Sequence, residues 1–424
     1  MFDLVLRNCR LPNGSVGNNI AIAGGKIVEV TAHLNGDAYR EIDCSDYMIS
    51  PPFVDAHFHM DTTMTYGMPR VNQTGTLFEG ISIWKDLKRT IKQEDIVTRA
   101  LKYCDLAVSK GLLSIRSHVD VSDERLLAVE ALLDVRERVR PYMNLQLVAF
   151  PQDGLLRSDL ALKNLNRALD LGVDVVGGIP HFERTYEDGI KSIDLLCSLA
   201  SERGLRVDMH CDESDDPACN FVEALSYQAL RLGLHDYVTA SHLTSMHSMD
   251  NYYVTKLIQL IRESGISVVS NPLSNVVLQG RSDTYPKRRG ITRVPELLDA
   301  NITVAFGQDD VMDPWYFGGS ADMLEVAYMG LHLCHMTDQK GIHNAYNAIT
   351  YAPAKIIGLK DYGLEPGCQA DFVLLQARGI TEAFRLRAKR LLVIKNGQII
   401  SSQEPDMASL TLPERSADIY PTLI

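Results

Sequence analysis

The sequence predicts a parallel (β/α)8 barrel, an α/β fold, flanked by a small β-sandwich built from both chain ends. Eight short β-branched or apolar runs alternate with helix-period segments over about 270 residues. Several of the helical segments close on a glycine just past their last turn, as at Gly111 and Gly204. The sandwich rests on a third observation. Short strand-like runs with Gly-rich turns gather at the two ends, where KNGQ at 395–398 supplies an Asn-Gly hairpin signal. A doubly wound sheet is the rival architecture, but no GxGxxG turn follows the first barrel strand.

In chain order, Asp3–Arg10, Asn19–Ala23 and Lys26–Val30 open the sandwich. Barrel strands are expected at Tyr47–Phe58, Leu112–Val119, Asn144–Phe150 and Asp174–Ile179, then at Leu205–Cys211, Tyr237–His242, Ile266–Asn271 and Ile302–Gln308. Helices are expected between them, for example at Ile96–Lys110, Glu124–Val139, Ser158–Leu171 and Gly189–Arg203. The sandwich resumes in Asp371–Leu375, Leu391–Lys395 and Gln398–Ser401. The domain reading is therefore residues 1–50 and 362–402 for the sandwich, 51–361 for the barrel, and 403–424 for an extended tail.

Composition narrows the partners. With 424 residues, of which 46% are hydrophobic, the chain can bury a large core. Its formal net charge is −12 and its densest basic run, YPKRRG at 285–290, is short, which argues against nucleic acid. MFDLVLRNCR is not a signal peptide, and no apolar run approaches the roughly 18 residues of a membrane span. The eight cysteines are dispersed without a CxxC pair, as expected of reduced thiols in a cytoplasmic enzyme.

Ligand-type side chains recur where barrel strands end. His57 and His59 stand one residue apart in FVDAHFHMD, so period-2 geometry turns both to the barrel interior. Taken alone, such a pair reads equally well as a metal clip or as two hydrogen-bonded core histidines. His118, Gln152, His210, His242 and Asp309 then close strands two, three, five, six and eight. Among these, His57, His59, His210 and Asp309 offer three nitrogens and one oxygen, a mononuclear hydrolytic set with room for water. Binuclear barrel hydrolases usually bridge their ions with a strand-four lysine. Here that strand ends VVGGIPHFE, so one divalent metal ion is favoured.

Glu213, in HCDE, follows His210 by three residues and can swing over that centre as a proton shuttle. Its bland alternative is an acid at a helix amino terminus, since DESDDP reads as a cap region. His242 is read as orienting the attacking water, with a further ligand or a core histidine as alternatives. A divalent ion lowers the pKa of water toward roughly 7, and hydroxide so generated can add to an sp² carbon whose nitrogen then leaves. Deamination of an amino-heterocycle and hydrolysis of a cyclic amide both fit. The small-fold zinc deaminases carry HxE with PCxxC. His181-Phe182-Glu183 gives the first half alone and reads as a pocket wall or a helix start.

PPFVDAHFHMDTT, NQTGTLFEGI, DVVGGIPHFE, DMHCDESDD, VTASHLTSMHS, NPLSNVVLQG and FGQDDVMDPWY together resemble the amidohydrolase superfamily, and within it the bacterial cytosine deaminases. The likeness runs from about residue 51 to 320, with DYGLEPGCQADFVLL marking the return to the sandwich. It implies iron (Fe2+) or zinc (Zn2+) at His57, His59, His210 and Asp309, with Glu213 as acid/base and His242 beside the attacking group. It further implies that Gln152 holds the pyrimidine amide edge, that Asp310 and Trp315 line the substrate pocket, and that backbone near Leu77 meets the ring. The expected activity is conversion of cytosine to uracil and ammonia in pyrimidine salvage, with isocytosine, 5-methylcytosine, creatinine or a pterin as alternatives and a cyclic amide behind them. A cytoplasmic homo-oligomer acting on a nucleobase-like small molecule is expected. Gln308, Met312 and Val277 depart from the cytosine deaminase pattern and put the shape of the pocket in question.

Overall fold

The computed structural model describes residues 1–421. Its central sheet holds eight strands in sequence order, Phe53–Phe58, Leu112–Asp120, Asn144–Phe150, Val175–Gly178, Arg206–Cys211, Val238–His242, Ser267–Ser270 and Val304–Phe306. Every neighbouring pair is parallel. First and eighth strands meet at the carboxyl end, where the Asp309 N–H donates to His57 O at 2.9 Å and the His59 N–H donates to Asp309 O at 3.0 Å. That closure makes the sheet a barrel.

The alternation expected at the first strand is visible in its contacts. Phe58 points outward and stacks on Tyr103 of the helix Gln93–Ser109, with ring centroids 4.2 Å apart. His57 and His59, on either side of it, therefore point inward. Helix ends follow the local chemistry. Thr185 caps Tyr186–Arg203 by accepting from the Asp188 N–H, and Gly204 closes it in the left-handed region at φ 64°. That cap starts the helix three residues before the expected Gly189.

The run Tyr47–Phe58, expected as one strand, is two. Met48–Ser50 pairs antiparallel with Phe372–Leu375 in a flanking sheet, and Phe53–Phe58 opens the barrel. Pro51 and Pro52 lie between them, and neither has an N–H to continue a ladder. The flanking sheets each have four strands. One runs Lys26–Thr31, Asn18–Ala23, Leu4–Cys9, Glu41–Asp43, and the other Gln398–Ser402, Arg390–Lys395, Phe372–Leu375, Met48–Ser50. They share a core that includes Leu6, Ile20, Ile22, Phe372 and Ile394. The segment expected as an extended tail instead holds an antiparallel hairpin, Ala408–Leu412 with Arg415–Ile419. Its last three residues, 422–424, lie outside the described ones. Among the described residues, no helix is long and apolar enough to cross a membrane.

Candidate active site

The fold brings together the ligand-type residues named at the ends of strands one, five and eight. His57 Nε2 lies 3.2 Å from Asp309 Oδ1, His59 Nε2 lies 3.6 Å from the same oxygen, and His59 Nε2 is 2.9 Å from His210 Nε2. The four donor atoms fall within 4.8 Å of one another and all four residues are buried. The Phe150 ring stacks on His210 with centroids 4.1 Å apart.

This arrangement is costly unless something completes it. Both ring nitrogens of His57 and the Nδ1 of His210 are buried without a hydrogen-bond partner. Burial pushes the imidazoles of His57, His59 and His210 well below their ordinary pKa, so they are neutral and keep free lone pairs. It pushes the Asp309 carboxyl well above the ordinary range, with nearby Glu213, Asp313 and Asp55 adding to the effect. Three neutral imidazoles and one carboxyl group lacking a counter-charge fit a divalent cation, with nitrogen and oxygen donors of the kind such ions take.

Glu213 and His242 sit beside that donor set. Glu213 Oε1 is 3.4 Å from His242 Nδ1, and with Asp309 they form a second group of converging donors. Burial raises the Glu213 carboxyl to about 8 and lowers the His242 imidazole to about 3. The helix-terminus alternative considered for Glu213 belongs to its neighbour. Asp212 accepts from the Phe221 N–H at 2.8 Å and the Val222 N–H at 3.0 Å, at the amino terminus of the helix Phe221–Leu232.

A cavity of about 410 Å³ opens over the cluster. Gln152, Asp310, Trp315 and Leu77 all line it, together with Glu213 and His242. Asp310 lies against Asp309 and Asp313, and burial, reinforced by Asp309, pushes its carboxyl well above the ordinary range. Asp313 is turned to structural work. Its Oδ1 accepts from the N–H groups of Trp315 and Tyr316 at 2.9 and 3.0 Å, and its Oδ2 accepts from Thr62 Oγ1 at 3.0 Å. The Trp315 ring then lies on Gly80 of the helix Leu77–Leu87, where an added Cβ would meet it at 2.5 Å.

Gln308, Met312 and Val277, whose departures put the shape of the pocket in question, are absent from its lining. The Gln308 side chain is fully buried, with its amide 3.2 Å from where a Cβ on Gly319 would stand, and Met312 is 45% exposed. His181, Phe182 and Glu183 line the cavity wall at the short 3-10 turn Pro180–Phe182, as the HFE reading expects. Other residues at the site were not singled out from the sequence: Asn271, just past strand seven, and Ser274 and Asn275, on the short helix that follows, reach the centre. Their N-x-x-S-N spacing puts all three on one helical face, a signal that could have marked them.

The model of the amidohydrolase family matches residues 40–401. The chain is similar to the crystal structure of 5-methylcytosine deaminase from Klebsiella pneumoniae liganded with 5-fluorocytosine, with 39% identity, a TM-score of 0.93, and coverage of 97% of this chain and 100% of that one. It is 30% identical to the N-isopropylammelide isopropyl amidohydrolase of Pseudomonas sp. (strain ADP) over 95% of this chain and 98% of that protein. It is 29% identical to the pterin deaminase of Rhizobium rhizogenes (strain K84 / ATCC BAA-868) over 94% and 91%. With the matching model spanning most of its length, the chain belongs to the amidohydrolase family, metal-dependent hydrolases that act on C–N bonds.

Proposed function

We propose that the protein deaminates an aminopyrimidine of the cytosine type, taking cytosine and water to uracil and ammonia. The observation that carries this reading is the placement of a buried carboxyl group, Glu213, between the four-donor cluster and a pocket lined by Gln152, Asp310 and Trp315. His57, His59, His210 and Asp309 would hold one divalent ion, zinc or iron. When bound, such an ion supplies the Lewis acidity that brings deprotonation of water into the neutral range.

The protein's own residues account for the rest. Glu213 takes the proton that water gives up and returns it to the substrate, so that the exocyclic nitrogen leaves as ammonia. A carboxyl group held near neutrality by burial can do both halves of that transfer. His242 steadies the attacking oxygen from the side of strand six. Gln152, whose amide makes no hydrogen bond to another described residue, is free to read the donor and acceptor edge of the ring. Trp315 and Leu77 supply the apolar walls for a flat substrate, and Asp310 reads the polar substituent nearest the centre.

A second reading, 5-methylcytosine as the preferred base, is favoured by the 39% identity to the Klebsiella pneumoniae 5-methylcytosine deaminase. Hydrolysis of a cyclic amide fits less well, since strand four ends in Gly177 and Gly178 without a lysine to bridge two ions. The test is ammonia release, as kcat/KM, from cytosine, 5-methylcytosine, isocytosine, creatinine and pterin. Highest turnover of cytosine or its 5-methyl derivative supports the proposal. Metal-replete protein that releases ammonia from none of the five overturns it.

A further inference from the structure

The side chain that links Glu213 to His242 lies on neither strand five nor strand six. The helix Pro272–Leu278 follows strand seven and places Asn275 against both residues. Asn275 Nδ2 is 3.2 Å from Glu213 Oε1 and 3.1 Å from His242 Nδ1. Asn275 is itself fully buried. Its amide nitrogen carries two hydrogens, and the two contacts use one each. In this orientation the amide nitrogen, and not its carbonyl oxygen, faces both Glu213 Oε1 and His242 Nδ1.

That geometry has a consequence for His242. A neutral imidazole has one N–H, and a ring nitrogen that accepts a hydrogen bond cannot carry it. If Asn275 donates to Nδ1, the proton belongs on Nε2. Asn271 Nδ2 lies 3.3 and 3.4 Å from the two ring nitrogens, so it packs over the ring without choosing between them. Glu213 Oε1, 3.4 Å from the same Nδ1, then shares the amide with the imidazole and does not compete for the ring proton.

We propose that Asn275 is a positioning residue which, through one amide group, fixes His242 as its Nε2–H tautomer and holds the Glu213 carboxyl beside it. The ring then presents a donor to the attacking oxygen, while the carboxyl group stays free to receive the proton. This deepens the deaminase reading by assigning the hydrogen that His242 offers, and its first test needs no substrate.

In zinc-loaded, 15N-histidine-labelled protein, the two-bond nitrogen–proton correlation pattern of His242 reports the tautomer directly. The expected pattern is Nε2–H in the wild type and a mixture of tautomers in Asn275→Ala. An Nδ1–H pattern in the wild type, or an unchanged pattern in Asn275→Ala, would overturn the proposal whatever the substrate proves to be. The kinetic test is a double-mutant cycle with the best substrate of the panel. Asn275→Ala should lower kcat by roughly 10- to 100-fold with KM within about threefold, and should cost much less in a His242→Ala background. Equal losses in both backgrounds would make Asn275 a packing residue only. Asn275→Asp, which sets a second carboxyl against Glu213, should be worse than Asn275→Ala, and a milder effect would contradict the assigned amide orientation.

Discussion

Two polar layers are buried inside the same barrel, and they are built on opposite principles. The lower layer lies two residues deeper along the strands. There Arg116 donates to Gln146 Oε1 at 2.7 Å, to Asp208 Oδ2 at 2.8 Å, to Thr239 Oγ1 at 3.2 Å and to Ile356 O at 3.0 Å. Ser241 Oγ donates to the remaining Asp208 oxygen at 2.8 Å. The upper layer, His57, His59, His210 and Asp309, has nitrogens and a carboxyl group facing one another, with no lysine or arginine side chain among the four. A chain can fold around the first layer because every charge is paired. The second makes physical sense only as a place where something else completes it.

Removing a member of the upper layer should separate function from folding, and the largest effect is expected at Asp309. Asp309→Ala should lose metal and activity together and still fold, which metal analysis and ammonia release on one sample will show. Retained metal would break the comparison at its centre. Next in size is Glu213→Gln, where turnover should fall by roughly 10²–10⁴, the usual contribution of a positioned acid or base. Metal content and thermal midpoint should stay at wild-type values, and unchanged turnover would remove Glu213 from the chemistry.

The lower layer should respond in the opposite way. Asp208→Ala leaves the Arg116 guanidinium buried without its partner and should cost about 3–5 kcal/mol in denaturant unfolding. Burial works to raise the Asp208 carboxyl, but His118 and Arg116 outweigh it and hold it below the ordinary carboxylate range. Its contribution is therefore present above about pH 4 and is lost as pH falls through its lower folded-state value. Asp208→Ala should accordingly flatten the acid limb of the stability curve. The smallest effect is expected at Asp310. Asp310→Ala should keep its metal and change the ratio of kcat/KM among the panel substrates by about 10- to 200-fold. Loss of metal there would show that the two aspartates are not divided as assigned.

How much of this was legible in the sequence depends on where a side chain sits. Residues at strand ends were readable, since period 2 and the barrel rule fix which way His57, His59 and His210 point, and Asp309 follows three residues past strand eight. The adjacent acids of HCDE were separable by role but not by proof. Only in the fold does Asp212 turn to the helix terminus and Glu213 to the cavity. Residues that arrive from short connecting helices were invisible to strand logic, which is why Asn275 and Ser274 were passed over; Asn271 closed the expected strand seven and was missed in favour of histidines and acids. Gln308 failed for a simpler reason. One position before Asp309, it points away from the interior, so a departure in sequence there does not reach the substrate wall. Pro51 and Pro52 announced a break inside the run Tyr47–Phe58, yet the apolar character on both sides masked it.

Whether the upper layer holds one cation is tested most directly by metal-linked stability. Stripped protein is titrated with Zn2+ while unfolding and bound metal are followed together. Stability should rise with added metal, by about 2.7 kcal/mol at a hundredfold excess over Kd, and binding should saturate near one equivalent. Asp309→Ala should show no rise. Unfolding of the wild type that ignores the metal, or an equal rise in Asp309→Ala, would contradict a one-cation centre.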